Sequence, residues 1–548
     1  MILGWSEFAA RSTPVDICIV GGGAAGLTLA ASLCGSGLSV IVLEAGAARQ
    51  TKASQAFYEG DLADPASHPW LHHFRVRAIG GSSRIWGGRC VPFDPVDFER
   101  RDWAPGPGWP IGFAEVAEHY PAAQAAAEAG AYDYDPATTL PGRQAEFAPG
   151  LDGEMIATRL ERFSRPTDFW RRFGAKLKSD PHVHVVMEAP ATAIRLKADG
   201  GAVDHIEVRG PGGELAQVTA RTFVIAAGGL ETVRLLLASN DVTSCGVGGG
   251  SGHLGRYYMS HLAATAGQIV FADPSRVAFD YERDDEGIYV RRRLALTEAA
   301  QRQARCLNVV FRTHLPDAAD PSHGDPILSA MYLVKDLVLF EYSRKMRQAR
   351  PTLGQRLSHF GNIVRHPLRL GGFSRNWILR RVLSDRKLPS VVLGSRTGAY
   401  PLEFHAEQAS NPDSRLTLGA ETDAFGMPRL KADWRLTQLD TESLQRAYAL
   451  LAAELKRTGV GELTYDPDDV AEAARREGAY GGHHIGAARM SALPGEGVVD
   501  RECRVHGVGN LYLASSAVFP TSGQANPTLT ILALTLRLGA RIRQELKR

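Results

Sequence analysis

The amino-acid sequence predicts an α/β protein: a parallel sheet assembled from separated parts of the chain, joined to a second, mostly antiparallel β-sheet domain with helices. A strand, a glycine turn, a helix and another strand follow one another near the N-terminus. A similar strand, glycine turn and helix occur about 200 positions later. Residues 266–480 show strand patterns without such turns. Because units with this turn add strands to parallel sheets, both are expected in one sheet.

The N-terminal unit has the glycine spacing of a Rossmann-type dinucleotide-binding turn. The run Val15–Val20 is apolar and β-branched, as a buried parallel strand requires, and Leu38–Leu43 repeats that pattern. Between them the chain reads G-x-G-x-x-G. Gly21 suits the tight turn, Gly23 the close approach of a pyrophosphate, and Gly26 the packing of helix on strand.

The phosphates of a dinucleotide would lie at the N-terminus of the following helix, where free N–H groups and the positive dipole end attract anions. Glu44, 18 residues after Gly26, is placed to accept a hydrogen bond from a ribose hydroxyl. An acid there disfavours a 2′-phosphate, so NADP is less expected than NAD or FAD. An ordinary glycine turn is the alternative. The residues predicted to bind the cofactor here are Gly21, Gly23, Ala24, Ala25, Gly26, Glu44 and Ala45.

Composition excludes several classes of protein. The 548 residues are 44% hydrophobic and 22% charged, which excludes a mainly disordered chain. Lys plus Arg number 62 against 60 for Asp plus Glu, so no charge excess indicates a nucleic-acid partner. The six cysteines lack CxxC spacing, which argues against a zinc site or a disulfide framework. With no signal-peptide pattern or long apolar run, we expect a cytoplasmic protein.

Two later segments extend the predicted nucleotide site. A glycine-rich stretch after Arg77 suggests backbone passing close to a flat ligand, with a flexible surface loop as the alternative. Its candidate contacts are Gly80, Gly81, Ser82, Ser83, Trp86, Gly87 and Gly88. The second unit, Thr222–Leu237, adds Ala227 and Gly228 at its turn.

The cofactor-binding domain is therefore expected to be discontinuous. It is predicted to comprise residues 1–114, 182–265 and 481–548. Residues 115–181 and 266–480 are predicted to form the substrate-binding domain, with strands expected at Ser390–Leu393 and Arg415–Leu418.

Together these motifs resemble the glucose–methanol–choline (GMC) family of FAD-dependent oxidoreductases. They occur in family order, from the G-x-G-x-x-G turn to a C-terminal Asn510–Pro520 segment that resembles the bacterial branch of pyranose oxidases and glycoside dehydrogenases. The resemblance implies FAD rather than NAD, and oxidation of an alcohol carbon. It also implies further cofactor contacts at Ser516, Ala517, Asn526, Pro527 and Thr528.

The resemblance implies a catalytic pair as well. His483 fits the family's H-x-x-G pattern with Gly486, and Asn526, before Pro527, occupies the second catalytic position. A neutral imidazole suits the removal of a hydroxyl proton, and an amide N–H suits the developing alkoxide. Some relatives attach FAD through a histidine just before the loop tryptophan; here that position is Ile85, so we expect noncovalent FAD.

Three more histidines are candidates for the substrate cavity. His484 would either contact the substrate or be buried and bonded to backbone, and His261 and His405 would line the cavity or serve the core. We expect no metal at His483 and His484, because adjacent residues rarely face one ion and no acid or cysteine cluster accompanies them.

Residues 343–387 form a basic insert. They contain 12 Lys or Arg against one acid, Asp385, which leaves 50 basic and 59 acidic residues elsewhere. Interleaved apolar residues, with breaks at Pro351, Pro367 and Gly371–Gly372, predict two short amphipathic helices. Such helices can lie on an anionic membrane, dock on an acidic partner, or pack on the acidic body as a lid or subunit contact.

The expected function is FAD-dependent oxidation of a sugar or glycoside hydroxyl to a ketone or aldehyde. One alternative is the same chemistry on a sterol or lipid-linked alcohol presented at a membrane. Another is a nucleotide-binding scaffold without catalysis. The electron acceptor that reoxidises the flavin, oxygen or another, is left open by the motifs.

Overall fold

The structure is a computed structural model that describes residues 1–10, 13–335, 352–395 and 397–547. Part of the basic insert, residues 343–351 with Arg344, Lys345, Arg347 and Arg350, lies outside the described residues.

The strands of the described chain are short to medium in length. They are β1 (Ile2–Leu3), β2 (Val15–Val20), β3 (Val40–Leu43), β4 (Asp61–Leu62), β5 (Arg89–Cys90), β6 (Ile156–Phe163), β7 (Val183–Val186), β8 (Ala191–Leu196), β9 (Val203–Arg209), β10 (Leu215–Val218), β11 (Ala220–Ile225), β12 (Leu262–Phe271), β13 (Glu282–Arg283), β14 (Tyr289–Leu296), β15 (Val309–Thr313), β16 (Ala399–Ala406), β17 (Arg415–Thr422), β18 (Pro428–Asp433), β19 (Gly461–Thr464) and β20 (Leu511–Leu513).

The α-helices are interspersed with these strands along the chain. They are α1 (Trp5–Ala9), α2 (Ala24–Leu33), α3 (Lys52–Ala56), α4 (Pro95–Phe98), α5 (Phe113–Ala117), α6 (Tyr120–Ala126), α7 (Pro136–Thr139), α8 (Phe169–Ser179), α9 (Gly228–Ala238), α10 (Glu298–Ala304), α11 (Pro326–Leu333), α12 (Leu353–Arg365), α13 (Pro367–Trp377), α14 (Gln438–Thr458), α15 (Pro467–Glu477) and α16 (Thr528–Leu546).

A parallel sheet forms the core of the nucleotide-binding part, in the order β1-β7-β3-β2-β11-β20. Strand β11 pairs in parallel with β2, with Phe223 opposite Cys18, and β20 joins its other side. The two predicted strand–turn–helix units therefore share one sheet, completed by a strand from the C-terminal segment. Helix α2, buried almost all round, packs against the C-terminal helix α16. The predicted α/β class is confirmed.

A larger antiparallel sheet forms the second part, in the order β19-β12-β16-β15-β14-β6-β5, with β13 paired to β14. This confirms the predicted antiparallel sheet with helices. The domain boundaries stay a prediction. Strand β12 runs across the boundary at position 265. Two contacts also join the predicted domains: β5, within 1–114, pairs with β6, and helix α8 packs against α2.

Two strand predictions differ from the structure. Residues 390–395 form no strand, so the prediction at Ser390–Leu393 is wrong. This short run follows Pro389, which cannot donate to a sheet, and it has no paired neighbour. Residues Arg415–Leu418 do begin a strand, but β17 pairs with β18 in a small separate sheet that also contains β4.

The described part of the basic insert, residues 352–387, contains the two predicted short helices, α12 and α13, separated at Pro367. No helix in the described part of the chain combines the length and apolar character that a membrane span needs.

Candidate active site

The glycine turn after β2 is held in a conformation that side chains would prevent. Gly21 has φ of 110°, and a Cβ there would lie 2.5 Å from the carbonyl oxygen of Ala226 in the neighbouring unit. A Cβ on Gly26 would overlap the carbonyl oxygen of Gly21. Neighbouring backbone therefore leaves no room for a side chain at these two positions. The close contacts of the turn hold β2, α2 and β11 together.

Gly23 differs from its neighbours because a Cβ there would meet no protein atom within 4 Å. It is the N-cap of α2, and no side chain caps the N–H groups of that helix. Ala24 and Ala25 follow in the first turn and add no charge or bulk. An open cradle beside free backbone donors and a positive helix end fits the pyrophosphate of a dinucleotide.

Glu44 braces this turn from the end of β3. It is buried, and its two carboxylate oxygens accept hydrogen bonds from the backbone N–H groups of Gly22 (2.8 Å) and Gly46 (2.6 Å). Burial raises the pKa of Glu44, although those two hydrogen bonds oppose the shift. Each oxygen keeps a second lone pair, so the predicted ribose contact is compatible with these bonds. Ala45 follows at the rim of the turn.

The predicted flat-ligand loop lies directly on the glycine turn. The N–H of Gly80 donates to the carbonyl of Gly22 at 2.7 Å, and a Cβ on Gly81 would lie 3.0 Å from the Cα of Gly23. The hydroxyl of Ser83 donates to the Gly80 carbonyl, which fixes the short 3-10 turn that follows. Exposed Ser82 lies within that turn.

Beyond that turn, the loop is fastened to the segment before α8. The indole N–H of Trp86 donates to the carbonyl of Thr167, and the N–H of Ser164 donates to the carbonyl of Gly88. A Cβ on Gly87 would meet no protein atom within 4 Å. Ile85 is 56% exposed.

The C-terminal segment brings the predicted catalytic histidine to this nucleotide cradle. Close packing of Gly229, in the first turn of α9, leaves no room for a Cβ beside the carbonyl of His484. That carbonyl accepts a hydrogen bond from the hydroxyl of Ser516, and the carbonyl of Ala517 accepts one from the N–H of Ala488. Ala227 and Gly228, just before Gly229, remain partly exposed.

His483 and Asn526 meet in the structure. The side-chain Nδ2 of Asn526 lies 3.1 Å from Nε2 of His483. Asn526 is held just before Pro527, the N-cap of α16, whose first residue is Thr528. The predicted pair is thus within hydrogen-bonding distance, although 43 positions separate its members in sequence.

His261 and His405 join His483 in one cluster. Nδ1 of His261 lies 2.8 Å from Nδ1 of His483, and the rings of His261 and His405 stack at 4.6 Å. Tyr480 packs beside them, its ring centroid 5.2 Å from that of His483. His261 and His405 are buried, and His483 is half-buried. Both histidines predicted as possible cavity residues therefore lie beside the predicted catalytic pair.

The partners of the cluster define where its protons lie. Nε2 of His261 contacts the carbonyl of Ser522, which can only accept, so this nitrogen carries the proton. Nδ1 of His261 is then an acceptor, and Nδ1–H of His483 donates to it. Nε2 of His483 is left with a lone pair beside the amide of Asn526. The geometry supports one tautomer, with a basic nitrogen facing Asn526.

His405 has a different free nitrogen. Its Nδ1 donates to the carbonyl of Gln524 at 2.7 Å, while Nε2 is buried and has no hydrogen-bond partner among the described residues. A buried lone pair without a donor is costly unless a ligand supplies one.

Burial keeps all three rings neutral. It lowers the pKa of His261 to about 4, and it lowers those of His405 and His483 well below their ordinary value. For His483, the repulsion of His261, His484 and Arg89 adds to the burial effect. A neutral imidazole is the form that accepts a proton.

Buried charged side chains lie near this cluster on one face of the antiparallel sheet. The sequence motifs did not identify these residues. Glu161 is fully buried and pairs with both Arg89 and Arg312, each at 3.1 Å. Arg312 also pairs with Glu403, on the same face as His405. The sequence signal was weak: single charged residues inside otherwise apolar strands, which also occur at sheet edges.

His484 lies on the other side of the backbone from His483. It is buried, and its ring stacks on that of Tyr258 at 6.3 Å rather than on the cluster. This placement favours the core role over substrate contact.

The three clustered histidines each offer a ring nitrogen within 4.8 Å of the others, a spacing that could also hold a metal ion. The 2.8 Å between the Nδ1 atoms of His261 and His483 is shorter than the separation of about 3.3 Å that two nitrogens adopt on a tetrahedral zinc. The arrangement fits a hydrogen bond better.

Comparison with known families agrees with this geometry. A family model described as FAD dependent oxidoreductase matches residues 16–331, more than half of the chain. A second, described as GMC oxidoreductase, matches residues 410–535, a range that contains His483 and Asn526.

Individual proteins are similar over different lengths. The paromamine 6'-oxidase of Streptomyces fradiae is 22% identical over 585 residues, covering 95% of this chain and 90% of that protein. The C-glycoside 3-oxidase of Arthrobacter globiformis is 37% identical over 128 residues, 23% of each chain. The crystal structure of pyridoxine 4-oxidase from Mesorbium loti has the same fold, with a TM-score of 0.57 at 18% identity over 96% of this chain and 99% of that one. The chain therefore belongs to the FAD-dependent oxidoreductases of the glucose–methanol–choline (GMC) type.

Proposed function

We propose that this oxidoreductase converts a hydroxyl-bearing carbon of a sugar or glycoside to a carbonyl, with His483 as the base. The observation that carries the proposal is the hydrogen-bond chain from Ser522 through His261 to His483, which leaves a lone pair on Nε2 of His483 beside Asn526. A base and an amide donor that face the same point suit one substrate oxygen.

The residues of the chain divide the reaction between them. Nε2 of His483 accepts the hydroxyl proton, and the ring then carries a positive charge. Nδ2–H of Asn526 turns from His483 to the substrate oxygen and stabilises the negative charge that develops there. Bound FAD supplies the acceptor for the hydride that leaves the same carbon. The substrate loses one proton and one hydride, so a carbonyl group remains.

The unsatisfied lone pair on Nε2 of His405 supports a substrate with more than one hydroxyl. Nε2 of His405 is buried beside the catalytic pair and has no donor among the described residues. A second hydroxyl on an adjacent carbon would satisfy it, as a sugar ring can and a simple alcohol cannot. Two relatives support the same class, since one is named a paromamine 6'-oxidase and another a C-glycoside 3-oxidase.

We also infer that FAD is bound noncovalently, because Ile85 offers no nucleophile at the loop position before Trp86. Precipitation with acid should release the whole flavin into the supernatant; flavin retained on the protein pellet would contradict this inference. The free cysteines support the expected reducing, cytoplasmic location. We further infer that the basic insert contacts an anionic membrane surface, since it holds 12 Lys or Arg against one acid.

An anaerobic screen tests the reaction. Holoenzyme is mixed with sugars, glycosides, simple alcohols and lipid alcohols, and loss of oxidised-flavin absorbance is followed. We expect bleaching by sugars or glycosides in the wild type and none on that timescale in His483→Gln. Bleaching by lipid alcohols alone would favour the alternative substrate class. A flavin that none of them reduces would contradict the proposal. Admitting air to the reduced enzyme then distinguishes an oxidase from a dehydrogenase.

A further inference from the structure

Helix α12 lies on the surface with its polar side turned inward. His359 is fully buried, and its Nδ1 lies 3.1 Å from the hydroxyl of Ser329 on α11. Asn362 is buried beside it and donates to the carbonyl of Pro321 at 2.9 Å. A surface helix ordinarily buries its apolar stripe, so this packing is reversed.

The apolar side of the same helix faces outward. Leu353, Leu357, Phe360 and Val364 follow the i, i+4, i+7, i+11 spacing of one helix face and are 75%, 64%, 61% and 59% exposed. Leu368, at the start of α13, is 90% exposed. These five residues form what we call the insert stripe.

Exposure of this kind is concentrated in the insert. Nine of the twenty large apolar side chains that are exposed among the described residues lie between positions 353 and 383. Besides the insert stripe, they are Ile378, Leu379, Val382 and Leu383. Contiguous exposed apolar surface on a globular protein generally marks an interaction site.

Cations accompany the stripe. Arg356 and Arg365 on α12, and Arg375 on α13, are exposed and form no ion pair with an acid among the described residues. Other basic residues of the insert serve the fold: Arg369 pairs with Asp325 at 2.6 Å, and Arg381 donates to the carbonyl of Leu388. The unpaired arginines thus remain available to an anionic surface.

We propose that the insert stripe is a peripheral docking surface for an anionic lipid bilayer. A second copy that docks through its own insert is a poor occupant, because two inserts would meet, each with 12 basic residues and one acid in its sequence. A bilayer takes up the leucine and phenylalanine side chains at its acyl boundary, and its headgroups neutralise Arg356, Arg365 and Arg375. Charge complementarity therefore selects the bilayer.

Co-sedimentation of the holoenzyme with vesicles tests the surface. One set contains phosphatidylcholine alone and the other contains phosphatidylcholine with phosphatidylserine, each at low and high salt. We expect binding to the anionic vesicles at low salt, and weaker binding on the neutral ones or at high salt.

Two variants with matched controls separate the contributions. Leu357→Ser/Phe360→Ser should weaken vesicle binding about tenfold or more, because the apolar contact is lost. Arg356→Gln/Arg365→Gln/Arg375→Gln should weaken it by about fivefold for each arginine. Equal changes at exposed sites elsewhere, Leu215→Ser/Leu493→Ser and Arg171→Gln/Lys176→Gln/Lys197→Gln, should leave binding unchanged.

All substituted side chains are exposed, so the flavin spectrum should be unaltered, and that spectrum verifies folding. Four results would overturn the proposal. Two concern the vesicles: failure of the wild type to sediment with anionic vesicles at low salt, and binding that the stripe variants retain in full. A dimer in solution that Leu357→Ser/Phe360→Ser separates would make a second copy the occupant. Specific capture by an acidic protein in place of vesicles would make the occupant a protein partner.

Discussion

The histidine cluster and the insert stripe both reverse the usual distribution of side chains, in opposite directions. At the cluster, His261, His405 and the Glu161–Arg312 pair are buried within the fold. On α12, leucine and phenylalanine lie in solvent while His359 is buried. Polar groups in a core need partners or a ligand, and apolar groups in water need a cover. Both departures thus point to something that binds, a polar substrate in one region and an apolar, anionic surface in the other.

The largest expected effect is on the rate of flavin reduction when His483 is replaced, and it should leave the insert stripe unaffected. His483→Ala should slow reduction of the flavin by substrate by about 10²- to 10⁴-fold, because the base is lost, while FAD stays bound. Rapid mixing under anaerobic conditions measures the rate constant. His484→Gln, one position along but facing Tyr258, is the matched control and should keep most of the rate. Vesicle binding should be the same in both variants. A His483→Ala enzyme that is reduced at the wild-type rate would refute the assignment.

A smaller effect is expected at His261, which acts through His483 as a positioning residue. His261→Leu removes the acceptor for Nδ1–H of His483 and should lower the flavin reduction rate by about ten- to a hundredfold, with little change in substrate affinity. His261→Asn keeps a side-chain acceptor and should recover part of that loss. If both variants lose substrate affinity and not rate, His261 instead lines the substrate cavity.

Substitution in the cofactor cradle at Gly23 should change FAD affinity by about tenfold. Gly23→Val places methyl groups in the open space before α2, so FAD affinity should fall about tenfold while the apoprotein stays folded. Fluorescence titration of apoprotein with FAD measures the affinity. Gly4→Ala, where a Cβ also meets nothing within 4 Å, should behave as the wild type. An unchanged FAD affinity in Gly23→Val would place the pyrophosphate elsewhere.

A more gradual effect is expected on the stability of the folded protein at acid pH. The pKa of His261 is about 4 in the folded protein and 6.5 in an unfolded chain, so the unfolded state binds more protons as the pH falls between these values. The free energy of unfolding should therefore decrease by up to about 1.4 kcal/mol per pH unit across that window, and this contribution should be complete above 6.5. Thermal melts of the holoenzyme measure the trend. His261→Asn should flatten it, whereas His182→Gln at an exposed position should not; an unflattened profile would indicate that His261 is already charged.

The pH dependence of catalysis follows from the same neutral rings. Because the pKa of His483 lies well below its ordinary value, flavin reduction should continue below pH 6.5 and fall only at lower pH. An acid limb centred at or above 6.5 would mean that the ring titrates as if it were in solvent.

Much of the fold was predictable because it depends on local sequence. Val15–Val20, the glycine spacing and Leu38–Leu43 encode a strand, turn and strand whose conformations follow from neighbouring residues. The placement of β11 in the same sheet as β2 was predicted for the same reason, whereas their direct pairing was first shown by the structure. Ser390–Leu393 failed because a short apolar run becomes a strand only when a neighbour pairs with it, and pairing is not local.

For the candidate site, the resemblance supplied His483 and Asn526, but no motif indicated how they are oriented. Ser522, His261 and His483 come from three distant parts of the chain, so the tautomer that directs Nε2 to Asn526 could not be read from spacing. The Arg89, Glu161 and Arg312 cluster was missed for a related reason. From sequence alone, a charged residue that is buried within a sheet looks the same as one exposed at a sheet edge, until its cross-strand partners are known.

The sequence by itself determined the nucleotide turn, the parallel sheet, the family and the basic character of the insert, since each is written in contiguous residues. Only the tertiary structure decided which side of α12 is exposed. Helical periodicity defines two faces, and packing on α11 buries the polar face and leaves the apolar face in solvent. It likewise decided that His261 and His405 lie beside His483 while His484 does not. Adjacent side chains on one backbone point apart, and remote ones converge only when the sheets and helices that carry them are packed together.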